Sequence, residues 1–209
     1  MKAAFIGIGN VGFAIATNLQ KKGHEIIIGN NNPDSESVKK ALAGNSAFIV
    51  KTIQEAVDDA QIVFLATPYR AIEAALKGIM FNGKTLVDCT NPVGAGITHA
   101  LNSVKSGSET VQELAIDAKV VKAFTIYGYE NFVDSSFPKY DVKPVMLIAG
   151  NDADAKKQVS DLVGDMGFMS LDTGPLSQAL HLEHMTLLWV KMARVYGHHP
   201  NFVWAYLEK

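Results

Sequence analysis

The glycines at 7, 9 and 12 constrain this chain more than any other feature. Gly7-Ile8-Gly9-Asn10-Val11-Gly12 follows a short apolar run, KAAFI at 2–6, and opens a stretch from Val11 to Lys22 with apolar residues at 11, 15 and 19, closed by Gly23. An apolar run stopped by glycines and followed by a helical period reads as strand, tight turn and helix. The spacing G-x-G-x-x-G is common by itself; between a strand and a helix it is the fingerprint of a dinucleotide-binding turn. Gly7 then makes the tight turn, Gly9 lets the backbone approach a pyrophosphate, and Gly12 lets helix and strand close on each other. The free N–H groups at the helix start face the phosphates. Ile8, Asn10 and Val11, between the glycines, belong to the same candidate cofactor contact.

The alternation continues. HEIIIG at 24–29, a helical stretch over about 33–43, AFIV at 47–50, TIQEAVDDA at 52–60, QIVFLAT at 61–67, AIEAALKGI at 71–79 and KTLVDCT at 84–90 are short β-branched runs separated by helical stretches. Continuous apolar strands of this kind are buried on both faces, so the fold class is α/β, a doubly wound, mainly parallel sheet. Beyond residue 90 the rhythm loosens into a loop over 91–108, a helix near 111–116, a strand over 119–125 and a second loop over 127–143. Then come a strand at 144–150, a helix over about 153–166, a strand at 168–174 and a last helix from Pro175 through about Val195. The expected division is a nucleotide-binding domain over 1–174, with a C-terminal helical segment over 175–209 that packs on it.

Composition excludes several classes. A chain of 209 residues that is 48% hydrophobic and 19% charged is too apolar to stay disordered. A net charge of −2 with no basic run gives no footprint for nucleic acid or a membrane surface. No apolar run approaches the ~20 residues of a membrane helix. The glycines interrupt what would otherwise look like a leader at the N-terminus. The sole cysteine, Cys89, cannot close an internal disulfide, which suits a reducing, cytoplasmic setting. His181 and His184 stand three apart on the last helix, but with no third and fourth ligand at defined spacing no metal is expected, His198 and His199 included.

At the end of the second strand, where a carboxylate holds the ribose of NAD, the chain reads Gly29-Asn30-Asn31-Asn32-Pro33-Asp34. The missing carboxylate favours NADP, with NAD the alternative. Arg70 and Arg194 are the only arginines, so Asn30, Asn31, Asn32, Ser35 and Lys39 are the candidates for a 2′-phosphate; asparagines also serve as helix caps and turns. Thr67-Pro68 and Thr90-Asn91-Pro92 fall at strand C-terminal ends, the edge along which open α/β sheets bind ligands.

Asp172-Thr173-Gly174-Pro175-Leu176 after the last strand, with Leu182-Glu183, Leu187-Leu188 and Met192 in the final helix, resembles the NADP oxidoreductases dependent on the deazaflavin coenzyme F-420. The resemblance implies a Rossmann fold that binds NADP through Gly7, Gly9, Asn10, Val11, Gly12 and Asn30-Asn31, and a C-terminal part that helps to form the deazaflavin site. It also implies that Thr125 and Ile126 lie near the nicotinamide. Phe124 stands where the family has histidine, and Asn31 where it has arginine. With no catalytic triad expected, Thr125, Ile126 and Tyr127 are the hydride-site lining, and Tyr127, Tyr129, Phe132 or residues of the terminal helix would cover the second ring. That ring belongs to F-420 or FMN. The alternatives are reduction of a quinone, ferric or cupric acceptor, or a redox sensor that binds NAD(P) without turnover. Apolar residues on more than one face of the last helix point to a homodimer.

Overall fold

The computed structural model describes residues 1–209. β1 (Lys2–Ile6), α1 (Asn10–Lys21), β2 (Glu25–Gly29), α2 (Glu36–Gly44), β3 (Ile49–Lys51), α3 (Ile53–Asp59) and β4 (Ile62–Leu65) run in strict alternation. A 3-10 turn (Tyr69–Ala71) leads into α4 (Ile72–Leu76), followed by β5 (Thr85–Asp88), α5 (Gly107–Leu114), β6 (Lys119–Lys122) and α6 (Glu130–Val133). β7 (Val145–Gly150), α7 (Ala153–Asp165), β8 (Met169–Asp172), a second 3-10 turn (Leu176–Gln178) and α8 (Ala179–Arg194) complete the chain.

The eight strands form one sheet in the order β3-β2-β1-β4-β5-β6-β7-β8, parallel from β3 to β6. Successive residues feed opposite faces. Ala3 and Phe5, Ile26 and Ile28, Phe64, Val87 and Val121 join one buried core, whereas Ala4, Ile6, Ile27, Val63, Leu65, Leu86 and Val120 join the other. That is why the strands read as unbroken apolar runs. No helix is long and apolar enough to cross a membrane.

The register places the functional edge. Ile6 stands opposite Gly29 and Leu65, Leu65 opposite Asp88, and Asp88 opposite Lys122, so the parallel strands end together. β7 departs from the parallel pattern: it pairs antiparallel with β6, and its first residue therefore lies at the edge where β6 ends. β8 returns parallel to β7 through the α7 crossover.

Three boundaries differ from expectation. The loop after β5 ends earlier because Ser106 and Glu109 form a capping box that starts α5 at Gly107. β6 stops at Lys122, three residues before the expected end, because Phe124 turns the chain with φ +56°. α6 interrupts the expected loop over 127–143.

Candidate functional site

The glycine turn joins β1 to α1. Gly7 has φ +97°, and a Cβ there would lie 2.6 Å from the Thr67 backbone nitrogen. A Cβ on Gly12 would lie 2.4 Å from the Gly7 carbonyl oxygen. Both glycines are required by the protein's own packing. Gly9 is different: its φ is −71°, and a Cβ there would meet nothing within 4 Å. Gly9 caps α1 without a side chain, and the first turn has no acidic residue, so the amides of Asn10, Val11 and Gly12 face outward unanswered. An uncapped 12-residue helix with an open face at its cap suits an anion.

Beside this turn lies a cavity of about 330 Å³ lined by Ile8, Gly9, Asn10, Phe13, Ser37 and Lys40. Ser37 and Lys40 did not stand out in the sequence, and Lys39 does not line this space. Their signal was helical spacing: 37, 40, 41 and 44 are one face of α2.

The asparagines at the end of β2 work as turn and cap residues. The Asn30 Oδ1 accepts the Asn32 amide at 2.8 Å, the Asn32 Oδ1 accepts Asp34, and the Asn31 Oδ1 accepts the Ile53 amide at the start of α3 at 3.0 Å. The Asn30 Nδ2 donates to the Ser35 hydroxyl at 3.2 Å. The oxygens are thus engaged inward while the Nδ2 donors of Asn31 and Asn32 stay free on exposed residues, an arrangement that can meet a phosphate.

Thr67 is half-buried and Pro68 exposed where β4 ends against the Gly7 turn. Of the nine buried side-chain polar atoms without a partner, three belong to residues that follow the ends of the neighbouring strands β5 and β6: Thr90 Oγ1, Asn91 Oδ1 and Thr125 Oγ1. Buried polar atoms are normally paired, so this crevice is where the fold leaves hydrogen bonds to be made. Phe124 directs the chain there. A bulky residue rarely adopts positive φ, and the left-handed turn is held by its ring packing 6.0 Å from Phe64 and 5.9 Å from Phe132. The Thr125 carbonyl then receives the Thr186 hydroxyl of α8 at 2.8 Å.

Three expected positions are corrected. Ile126 is fully buried in the core. Tyr127 stacks on Phe168, donates its hydroxyl to the Val145 carbonyl and accepts the Trp204 amide, and burial pushes its pKa up. Phe132 fills the core between Phe124 and Phe168. Pro92 is also turned inward, packed toward Gly107.

Exposed aromatic and basic groups lie instead at the start of β7, on the same sheet edge. There a cavity of about 770 Å³ is lined by Phe137, Tyr140 and Phe202 together with Lys139, Lys143 and His199. The C-terminal segment forms its outer wall: Trp204 takes the Val145 amide at 2.9 Å, and Phe202 stacks on Trp189.

Beneath Thr90 lies a charged cluster that the sequence did not point out, although a lone Asp88 and a lone Lys122 in apolar runs were its signal. The Lys122 ammonium, with no exposed surface, lies 3.1 Å from Asp88 and 3.2 Å from Glu183 of α8. Glu183 accepts the Gly107 and Ser108 amides at 2.9 and 3.3 Å and the His99 Nε2 at 2.8 Å. Ser108 donates to Asp88 at 2.6 Å. Burial pushes the Lys122 pKa down, but the two carboxylates outweigh it and hold the pKa above its ordinary value. Cys89, next to Asp88, has its thiol pushed well up by burial and then by that carboxylate, so it is an inert core residue. His184 stacks on His99 from the exposed side of α8, with centroids 5.4 Å apart.

Residues 2–92 match the family described as NADP oxidoreductase, coenzyme F-420-dependent, which bears out the resemblance over that part of the chain. A solved structure from Arthrobacter sp. FB24, assigned as an F-420-dependent NADP reductase, superimposes with a TM-score of 0.83 at 25% identity over 99% of both chains. An Aspergillus terreus reductive aminase solved with NADPH4, cyclohexanone and allyl amine shares the fold, with a TM-score of 0.64 at 19% identity over 93% of this chain and 61% of that one. Among curated proteins, metalloreductase STEAP3 of Rattus norvegicus is 29% identical over 190 residues, 89% of this chain and 36% of that protein. Human metalloreductase STEAP2 is 26% identical over 187 residues, 87% of this chain and 35% of that protein. The chain thus spans about a third of the length of the metalloreductases it resembles.

Proposed function

Because residues 2–92 match the family described as NADP oxidoreductase, coenzyme F-420-dependent, we propose that this chain is an oxidoreductase that passes hydride between NADP(H) and a deazaflavin or flavin-type acceptor. An NAD(P)-dependent oxidoreductase is the activity that the family and the full-length neighbour support. One observation carries the nucleotide reading: Gly9, a glycine the fold does not need, lies at an uncapped helix start with open space beside it. The pyrophosphate would take the Asn10, Val11 and Gly12 amides. Lys40, Ser37 and the free Asn31 and Asn32 amides would meet the 2′-phosphate, in place of the arginine that the resembled family has there.

The nicotinamide supplies the hydride chemistry itself. The chain's own residues orient it: Thr90 Oγ1, Asn91 Oδ1 and Thr125 Oγ1 offer one acceptor and two hydroxyls to a planar carboxamide. Phe124 and the Thr186–Thr125 hydrogen bond hold that rim in place. The aromatic cavity with Lys139, Lys143 and His199 suits a planar, anionic acceptor. Alignment and exclusion of water then supply most of the acceleration.

The test is a spectrophotometric assay of the purified protein with NADPH or NADH and with oxidised F-420 or FMN. Faster bleaching of either acceptor with NADPH is the expected result. Nucleotide binding with no reduction of either acceptor would overturn the acceptor assignment. A ferric complex belongs in the same assay, because the curated relatives matched over 89% and 87% of this chain are metalloreductases.

A further inference from the structure

The cluster beneath Thr90 is not neutral. Asp88 and Glu183 are acceptors in every bond they make: Asp88 from Ser108, Lys122 and the Thr90 amide, Glu183 from Gly107, Ser108, Lys122 and His99. Acceptor-only carboxyls are carboxylates. The His99 Nδ1 accepts the Ser103 amide at 3.2 Å, so its one proton sits on Nε2, facing Glu183, and the ring is neutral. Lys122 is the single ammonium in the group, and the nearby Lys105 is exposed and engaged with Glu113. Two carboxylates against one ammonium leave one net negative charge, on residues no more than 6% exposed. The α5 amides and the Ser108 hydroxyl hold that charge in place of water.

The position of the charge matters as much as its sign. The Thr90 amide binds Asp88 at 2.9 Å and the Thr90 carbonyl accepts Lys122. The cluster is therefore one residue away from the unpaired Thr90 Oγ1 and Asn91 Oδ1. Resting on the nucleotide-binding reading above, we propose that this buried negative charge makes the site bind the oxidised nicotinamide more tightly than the reduced one. When hydride leaves, the C4–H bond breaks, both electrons go with the hydride to the deazaflavin or flavin ring, and the nicotinamide ring changes from neutral to singly positive. A fixed negative charge under the strand ends favours the positive form and the positive charge developing in the transition state. The Asp88–Lys122–Glu183 cluster thus tunes the bound couple toward hydride donation, and its members are positioning residues that act through Thr90 and Asn91.

Calorimetric titration of NADP+ and NADPH into wild type, Glu183→Gln and Asp88→Asn tests this without turnover. Wild type is expected to bind NADP+ the more tightly. Either isosteric variant is expected to raise the ratio Kd(NADP+)/Kd(NADPH) on the order of tenfold, as removal of a unit charge acting over roughly 10 Å of protein would do. A merely structural cluster would weaken both nucleotides alike, so an unchanged ratio in a folded variant overturns the inference. So does a wild type that prefers NADPH, a result that needs no variant to fold. If wild type binds neither nucleotide, the nucleotide-binding reading itself falls, and that failure is distinct from an unchanged ratio.

Discussion

Gly9 and Gly12 look alike in the motif, yet they should respond to substitution in opposite ways. A methyl group on Gly12 meets the Gly7 carbonyl at 2.4 Å, backbone against backbone, so Gly12→Ala should lower stability by about 1–3 kcal/mol or more. A methyl group on Gly9 meets no protein atom within 4 Å, and Gly9→Ala should change stability by less than about 1 kcal/mol while weakening NADPH at least about tenfold. Urea melts and nucleotide titrations on the two variants separate fold from ligand; intact NADPH affinity in Gly9→Ala would contradict the assignment. Lys40→Ala carries the parallel prediction for selectivity, with NADPH affinity falling about tenfold and NADH affinity nearly unchanged in the same titration. The glycine turn was legible because each glycine has a local cause inside one strand-turn-helix unit. Lys40 was not, since its role depends on how α2 leans on the Gly9 turn. Tyr127 and Phe132 misled for a related reason: an aromatic residue near a strand end reads as ligand-facing until tertiary packing shows which side of the sheet it fills.

At the scale of elements, helix starts decide more than helix interiors. The Ser106 hydroxyl accepts the Glu109 amide at 3.0 Å and the Glu109 carboxylate accepts the Ser106 amide at 2.8 Å. That box starts α5 where its Gly107 and Ser108 amides meet Glu183. Ser106→Ala should therefore lower stability by about 0.5–2 kcal/mol, read by urea denaturation. The signature S-x-x-E was present in the sequence, but the surrounding Gly, Ser and Asn content made it read as loop. A second junction is electrostatic: Asp59, the last residue of α3, meets Lys2 of β1 and Lys51 of β3, each at 2.8 Å. Hydrogen bonds from Lys2 and then Lys51 hold its pKa down from 3.8 to about 2. A lowered folded pKa means that the contribution is complete above about pH 4 and is lost as pH falls through about 2. Asp59→Asn should remove that part of the acid limb in urea midpoints measured against pH, and added salt should shrink the difference because the three groups are partly open to solvent. An identical acid limb in the variant would show that the junction contributes nothing.

Across the whole molecule, the open question is how the last 35 residues divide the work with the first 174. The α/β class, the mainly parallel sheet and its burial on both faces were legible, because each follows from short runs with a local period. The antiparallel β7 and the return of the C-terminal segment over it were not, because they are set by contacts between residues far apart in sequence. Beyond α8, Phe202 stacks on Trp189, Pro200 receives the Asn131 amide at 2.9 Å, and Trp204 pairs with Val145 and Tyr127. The same stretch walls the aromatic cavity, while the glycine turn and the Lys40 cavity touch none of it. Ending the chain after Gly197 removes the stack over Trp189 and the partner of the Val145 amide, and should lower stability by about 2–4 kcal/mol. If nucleotide and acceptor occupy separate regions of one sheet edge, that truncated protein binds NADPH within about threefold of the full chain. Its reduction of F-420 or FMN falls at least about a hundredfold, the scale expected when a reacting ring loses its positioning wall. Equal loss of NADPH binding would mean that the C-terminal segment shapes the nucleotide site as well. Undiminished turnover would place the acceptor elsewhere, against the crevice of Thr90, Asn91 and Thr125 alone.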